Sequence, residues 1–241
     1  MWKKILLFVF AALVALVSFL YYNAITLTSV QIGNKAPSKL PEVSKEAVSH
    51  LSRAIRFPTI SYDDRRQIVD SNFVQLKAYI KLTYPLTDSL LENIGLPNHS
   101  LLYYWPGQDQ KLKPALIMAH LDVVPVSEVK PANWYTFQDE QQIWSQPPFS
   151  GKVAGGYIWG RGALDDKLNV FAMLEATETL LATGFRPKRS LYLFFGHDEE
   201  IGGAEGAQVA ADYLKNESVE LEFVLDEGLF ILEGLMPGVA K

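Results

Sequence analysis

The 241 residues carry 22 basic and 27 acidic side chains, a net charge of −5, and 49% are hydrophobic. That is enough chain for one large core or two small ones, and the acidic balance leaves no basic patch for nucleic acid. There are no cysteines, which excludes disulfides, thiolate metal sites and cysteine nucleophiles, so any zinc has to sit on histidine and carboxylate groups.

Lys3 and Lys4 precede an apolar run from Ile5 to Leu20, extended by Tyr21 and Tyr22. A helix of roughly 18 residues is about 27 Å long, enough to cross a bilayer core. The lysines would stay on the cytoplasmic side and the tyrosines would sit in the opposite headgroup layer. A cleaved signal peptide is the rival reading. Its apolar region is usually about 7–15 residues and ends at a small-x-small site, which Tyr21-Tyr22-Asn23-Ala24-Ile25 does not offer. The expectation is a single-pass signal anchor over residues 1–22, then a linker over 23–42 marked by Pro37, Ser38 and Pro41. Residues 43–241 would form the remaining domain, on the periplasmic or extracellular side.

Further along, Val43, Ala47, Leu51, Ala54 and Ile55 recur at helical spacing. A second helix is predicted over Ser71–Leu82, with Phe73, Leu76, Ile80 and Leu82 turned inward. Leu101–Trp105 and Ala115–Ala119 read as buried strands on either side of a polar turn. Pro125–Gly156 reads as a long irregular stretch, of a length that suggests a functional surface loop. Then a helix over Asn169–Thr183 stops at Gly184, Leu191–Phe195 is an apolar strand, Ala204–Leu214 a helix, and Leu221–Leu225 another strand. Continuous apolar strands alternating with helices predict a three-layer α/β fold, a mostly parallel sheet with helices on both faces.

Four acidic clusters fall at strand or loop ends, where open α/β sheets gather their ligands. In His120-Leu121-Asp122, residues two apart on extended chain share a face, so Asp122 is placed to accept the second N–H of a metal-binding His120; H-x-D alone is common by chance. Gly160-Arg161-Gly162-Ala163-Leu164-Asp165-Asp166-Lys167 precedes a helix. It lacks the third glycine and the Lys-Ser/Thr of a phosphate loop, and its aspartates alone could merely cap the helix. His197-Asp198-Glu199-Glu200-Ile201-Gly202-Gly203 follows the most hydrophobic strand, where consecutive acids are costly unless a positive charge compensates them. Leu225-Asp226-Glu227-Gly228 repeats the pattern. Each could be solvated loop charge; four in order are hard to explain separately.

As an ordered set these motifs resemble the two-zinc aminoacylase and carboxypeptidase S metallopeptidases. The likeness runs from about Val43 to the last residue and includes Arg56-Phe57-Pro58-Thr59-Ile60-Ser61. Together with the membrane anchor it points to the carboxypeptidase S and N-acyl-amino-acid hydrolase branch. The resemblance implies a zinc-exopeptidase-like catalytic domain with two zincs. His120 would bind one of them and Asp122 orient its ring, while Asp165 bridges both. Glu199 would be the general base, Glu200 bind the second zinc, and Asp226 complete the first, with Glu227 adjacent as an alternative. The substrate class implied is a peptide or N-acyl-amino-acid amide.

The family pattern also includes a late histidine on the second zinc and an inserted lid domain that dimerises. The four histidines here are His50, His99, His120 and His197, none of them late. The chain stops near where the lid would begin. The expectation is therefore an incomplete catalytic domain without lid, a homodimer only if the lid is supplied, and a second zinc held by Asp165, Glu200 and water. Two contrasting readings remain: an inactive membrane-tethered fragment binding one metal weakly or none, and a two-metal phosphoesterase, which the lack of a basic cluster near the acids disfavours.

Overall fold

The computed structural model describes residues 2–26, 42–126 and 144–228. The chain divides into two units, Met1–Glu42 and Val43–Lys241. In the first, helix α1 (Trp2–Thr26) runs past the expected end at Tyr22, is exposed along its length, and is long and apolar enough to cross a membrane. Most of the expected linker lies outside the described residues.

In the second unit, α2 (Lys45–Ala54) starts at Ser44, whose hydroxyl accepts the Ala47 N–H at 3.0 Å, filling one of the donors that a helix start leaves open. Next comes α3 (Asp70–Thr83), with Phe73, Leu76 and Ile80 buried as their spacing predicts, whereas Leu82, also expected inside, is exposed because two residues on from Ile80 it falls on the far side of the helix. A short helix follows, α4 (Pro85–Leu90), which the hydrophobic pattern does not reveal. Pro85 opens it, and Glu178 from a later helix accepts the Leu86 and Thr87 N–H groups, each at 2.8 Å. The remaining elements are β1 (Glu92–Ile94), β2 (Leu101–Trp105), β3 (Ala115–His120), β4 (Lys152–Ala154), β5 (Tyr157–Trp159), α5 (Lys167–Ala182), β6 (Leu191–Gly196), α6 (Ala207–Asn216) and β7 (Phe223–Leu225). Gly184, at φ +70°, takes the left-handed turn that ends α5.

The main sheet has the order β1-β2-β6-β3-β7. It is mixed: β3 runs parallel to both β6 and β7, while β1-β2 and β2-β6 are antiparallel. β2 and β3 are not neighbours across their turn, because the fully apolar β6 inserts between them. One face packs α2, α3 and α5 through Leu51, Leu76, Ile80, Phe171 and Leu174 against Tyr103 and Phe195. The other packs α6 through Ala210 and Leu214 against Leu102, Leu116 and Phe194. Alternate residues of one strand thus serve opposite cores, which makes three layers.

The stretch expected to be irregular, Pro125–Gly156, contains the strand β4, which pairs with β5 just after it in a two-stranded hairpin; residues 127–143 lie outside the described part. Leu174 is fully buried and Val74 is exposed. Leu174→Ala should cost about 2–5 kcal/mol in chemical denaturation, through lost transfer energy plus a cavity. Val74→Ala should stay within about 0.5 kcal/mol.

Candidate metal centre

Parallel pairing sets His120 opposite Gly196 at the last rung between β3 and β6. The chain leaves both strands at the same edge of the sheet, so the His120-Leu121-Asp122 turn and the His197–Gly203 turn emerge side by side. The Asp165–Asp166 turn before α5 and the residues after β7 reach the same spot. His120 Nε2 lies 3.0 Å from Asp165 Oδ1, 3.8 Å from Glu199 Oε2 and 3.7 Å from Glu227 Oε1. Two ligand groups form there, His120 with Asp165 and Glu200, and His120 with Glu199 and Glu227, the donor atoms of each lying within 4.8 Å of one another.

Asp122 is fully buried and works on both sides. His120 Nδ1 is 3.1 Å from the Asp122 carbonyl oxygen and 3.3 Å from its carboxylate. The two carboxylate oxygens also accept the N–H groups of Glu199 at 3.2 Å and Glu200 at 3.1 Å. One side chain therefore orients the imidazole and pins the start of the 3-10 turn that carries both glutamates.

The electrostatics follow from crowding. Burial opposes charge on His120, but the acids around it, Asp122 first, override burial and push the imidazole up to about 10. Burial, then Asp165, lifts Glu200 to about 7. Glu199 and Glu227 are raised, by burial first, with the neighbouring acids adding and His120 opposing. Among the described residues no lysine or arginine pairs with Asp165, Glu199, Glu200 or Glu227. A single imidazole among converging carboxylates is a donor set that fits a divalent cation.

Comparison with known proteins agrees with that chemistry. The model of peptidase family M20/M25/M40 matches residues 116–240, a span that takes in every one of these side chains. The chain belongs to this family. It is 41% identical over 200 residues to the probable carboxypeptidase S-like 2 of Dictyostelium discoideum, covering 81% of this chain and 36% of that protein. It is 37% identical over 236 residues to the N-fatty-acyl-amino acid synthase/hydrolase PM20D1 of Xenopus tropicalis, covering 95% of this chain and 43% of that one. The chain thus spans less than half the length of these curated relatives. In fold it is similar to the M20 family metallo-carboxypeptidase Sso-CP2 from Sulfolobus solfataricus, with a TM-score of 0.54 and 24% identity over 78% of this chain and 38% of that one.

The structure brings together five residues that the sequence singled out: His120, Asp122, Asp165, Glu199 and Glu200. Of the acids after β7 it brings Glu227 to His120. Asp226 belongs to neither ligand group; its carboxylate accepts the Glu227 N–H at 2.9 Å, and the residue lines a small cavity together with His120 and Glu199. Asp166 was missed. Fully buried, it accepts the His120 backbone N–H at 3.2 Å and the Asn169 amide at 2.5 Å. It braces the histidine's backbone instead of capping α5 with its side chain. Only its neighbour Asp165 fitted a ligand pattern, so no sequence signal separated it from a cap.

Asp122→Asn keeps the shape of the side chain but turns one acceptor into a donor facing a backbone N–H. It should cost about 1–3 kcal/mol in urea denaturation, since a buried donor loses its partner. Full retention of stability would mean that the two glutamate amides are held by something else.

Proposed function

We propose that this chain carries the site of a metal-dependent hydrolase acting on peptide or N-acyl-amino-acid amide bonds, with zinc as the metal. The observation that carries the reading is the convergence of His120, Asp165, Glu199, Glu200 and Glu227 from separate stretches onto one small volume. His120, Asp165 and Glu200 would hold the two metals that the family resemblance implies, with Glu227 closing the set where that resemblance expects Asp226. A bound divalent metal supplies Lewis acidity toward a carbonyl oxygen and makes a water acidic enough to lose its proton near neutral pH.

The chain's own residues supply the proton handling and the geometry. Glu199 takes the proton from the attacking water at its carboxylate and delivers it to the departing amide nitrogen. Its place beside the ligands, with its own N–H anchored on Asp122, supports that role. Asp122 keeps the His120 ring turned so that Nε2 faces the acids. The relatives' names support the substrate class: one is a carboxypeptidase S-like protein, the other an N-fatty-acyl-amino acid synthase/hydrolase. We place α1 across a membrane, with the hydrolase part on the far side from the cytoplasm. Its length and apolar composition support this, and Lys3 and Lys4 at its start set the orientation.

Metal analysis of the purified chain, paired with turnover of an N-acyl-amino acid and a dipeptide, tests the proposal. Two zincs per chain with amide hydrolysis would support it in full. No metal uptake and no turnover would favour a membrane-tethered chain without activity. Glu199→Ala should abolish turnover and leave the metal content nearly unchanged, whereas Asp165→Ala should lose the metal. Loss of metal with retained activity in Glu199→Ala would reverse the roles. Glu227→Gln should weaken metal binding more than Asp226→Asn, as read by competition with a chromophoric chelator; the opposite order would return the ligand role to Asp226.

A further inference from the structure

Lys167 follows the aspartate pair and lies wholly inside the protein, with no exposed surface. An ammonium is costly to bury, and among the described residues it makes no ion pair. Its Nζ donates to the Phe57 carbonyl oxygen at 2.6 Å and to that of Ala54 at 3.3 Å. These carbonyls stand at the exit of α2, where the helix dipole favours a cation. The lysine stem passes close under Gly162, at φ +82°, where a Cβ would lie 3.3 Å from Lys167 Cδ and 2.8 Å from Val123 Cγ1. A side chain there would wedge the stem and Val123 apart.

The segment gripped by Lys167 is the one that touches the acid-bearing turns. The Thr59 hydroxyl donates to the Leu121 carbonyl at 2.7 Å. The Val123 N–H donates to the Thr59 carbonyl at 3.0 Å, and the Ser61 N–H to the Val123 carbonyl at 3.1 Å. The Ser61 hydroxyl reaches the His197 carbonyl at 3.2 Å. Residues 57–61 thus lie against the turn carrying His120 and Asp122 and against the start of the turn carrying Glu199 and Glu200. Lys167 joins that segment to the third turn, which carries Asp165.

We infer that Lys167 is a positioning residue for the candidate metal centre: through its hydrogen bonds to Phe57 and Ala54 it holds residues 57–61 in place, and that segment fixes His120 and Asp122 relative to Asp165. It touches no substrate and binds no metal. The inference rests on the metal-site reading above for its consequence, but not for its mechanics. The competing reading is a lysine that merely fills core volume, in which case a methionine of similar length would serve as well or better.

Lys167→Met in the full chain decides between them through two readouts. Hydrogen–deuterium exchange should show the Ser61 and Val123 amides losing protection while amides in α5 and β6 keep theirs. Titration with Co²⁺, followed by its visible absorption, should show affinity about 10–100-fold weaker, as for other residues that orient metal ligands, with an altered spectrum. Leu214→Ala, in the opposite core, should lower stability and leave both readouts at the site unchanged. Thr59→Val, which cuts the next link, should reproduce part of the Co²⁺ loss even if the Lys167 variant fails to fold. Unchanged protection of Ser61 and Val123, or unchanged Co²⁺ binding in Lys167→Met or Thr59→Val, overturns the proposal. If the wild-type chain takes up no Co²⁺, the metal reading fails by itself, and the exchange comparison still decides whether Lys167 holds the segment.

Discussion

The site depends on one register. β3 and β6 run parallel with His120 opposite Gly196, and the Leu121 N–H closes the ladder on the Gly196 carbonyl at 2.6 Å. Because side chains alternate along a strand, a slip of one residue would turn His120 to the opposite face and move Asp122 away from the Glu199 and Glu200 amides. The register is secured by what lies behind it. Phe195 and Phe194 serve opposite cores, so a shifted pairing would send each ring into the packing fitted to the other.

Beneath the ligands lies a layer of buried polar groups that holds them together. Asp122, Asp166, Lys167, Thr59 and Ser61 are each almost wholly buried, and each makes at least one hydrogen bond to the backbone of another segment. The adjoining acidic turn is held in the same manner. Asp198 accepts the Glu205 N–H at 2.8 Å with Arg65 at 3.6 Å, and His197 Nδ1 contacts the Ser100 hydroxyl at 2.7 Å. In a low-dielectric interior such bonds are strong when complete and costly when broken. The layer therefore favours a single arrangement of the ligands over a mobile one.

Much of this was legible in the sequence, and the residues say why. Leu101–Trp105 and Leu191–Phe195 read as strands because nothing but burial explains five apolar residues in a row, and the helices showed through Phe73, Leu76 and Ile80. The ligands were legible because acids directly after apolar strands need a compensating charge. Pairing was harder to see. Whether β2 meets β3 or β6 depends on contacts some 90 residues apart, which local pattern does not encode. β1, β4 and β5 have three residues each, too few to show a period. α4 owes its start to Glu178, far away in the chain. That Glu227 comes within 3.7 Å of His120 depends on the path of the chain after β7, and the place of Asp166 on a backbone amide that no side-chain pattern reports.

The acid-bearing stretches are spread from His120 to Glu227, and none of their meeting points is local. An unfolded chain therefore holds no half-formed chelate, and closing such long loops is slow compared with forming helices. Any cation that this pocket takes must arrive after the central strands have paired, and its binding energy then adds to the stability of the assembled sheet. Chelation and unfolding are in this way one coupled equilibrium: stripping the ion would loosen the ends of β3 and β6 before it disturbed the helices packed behind them.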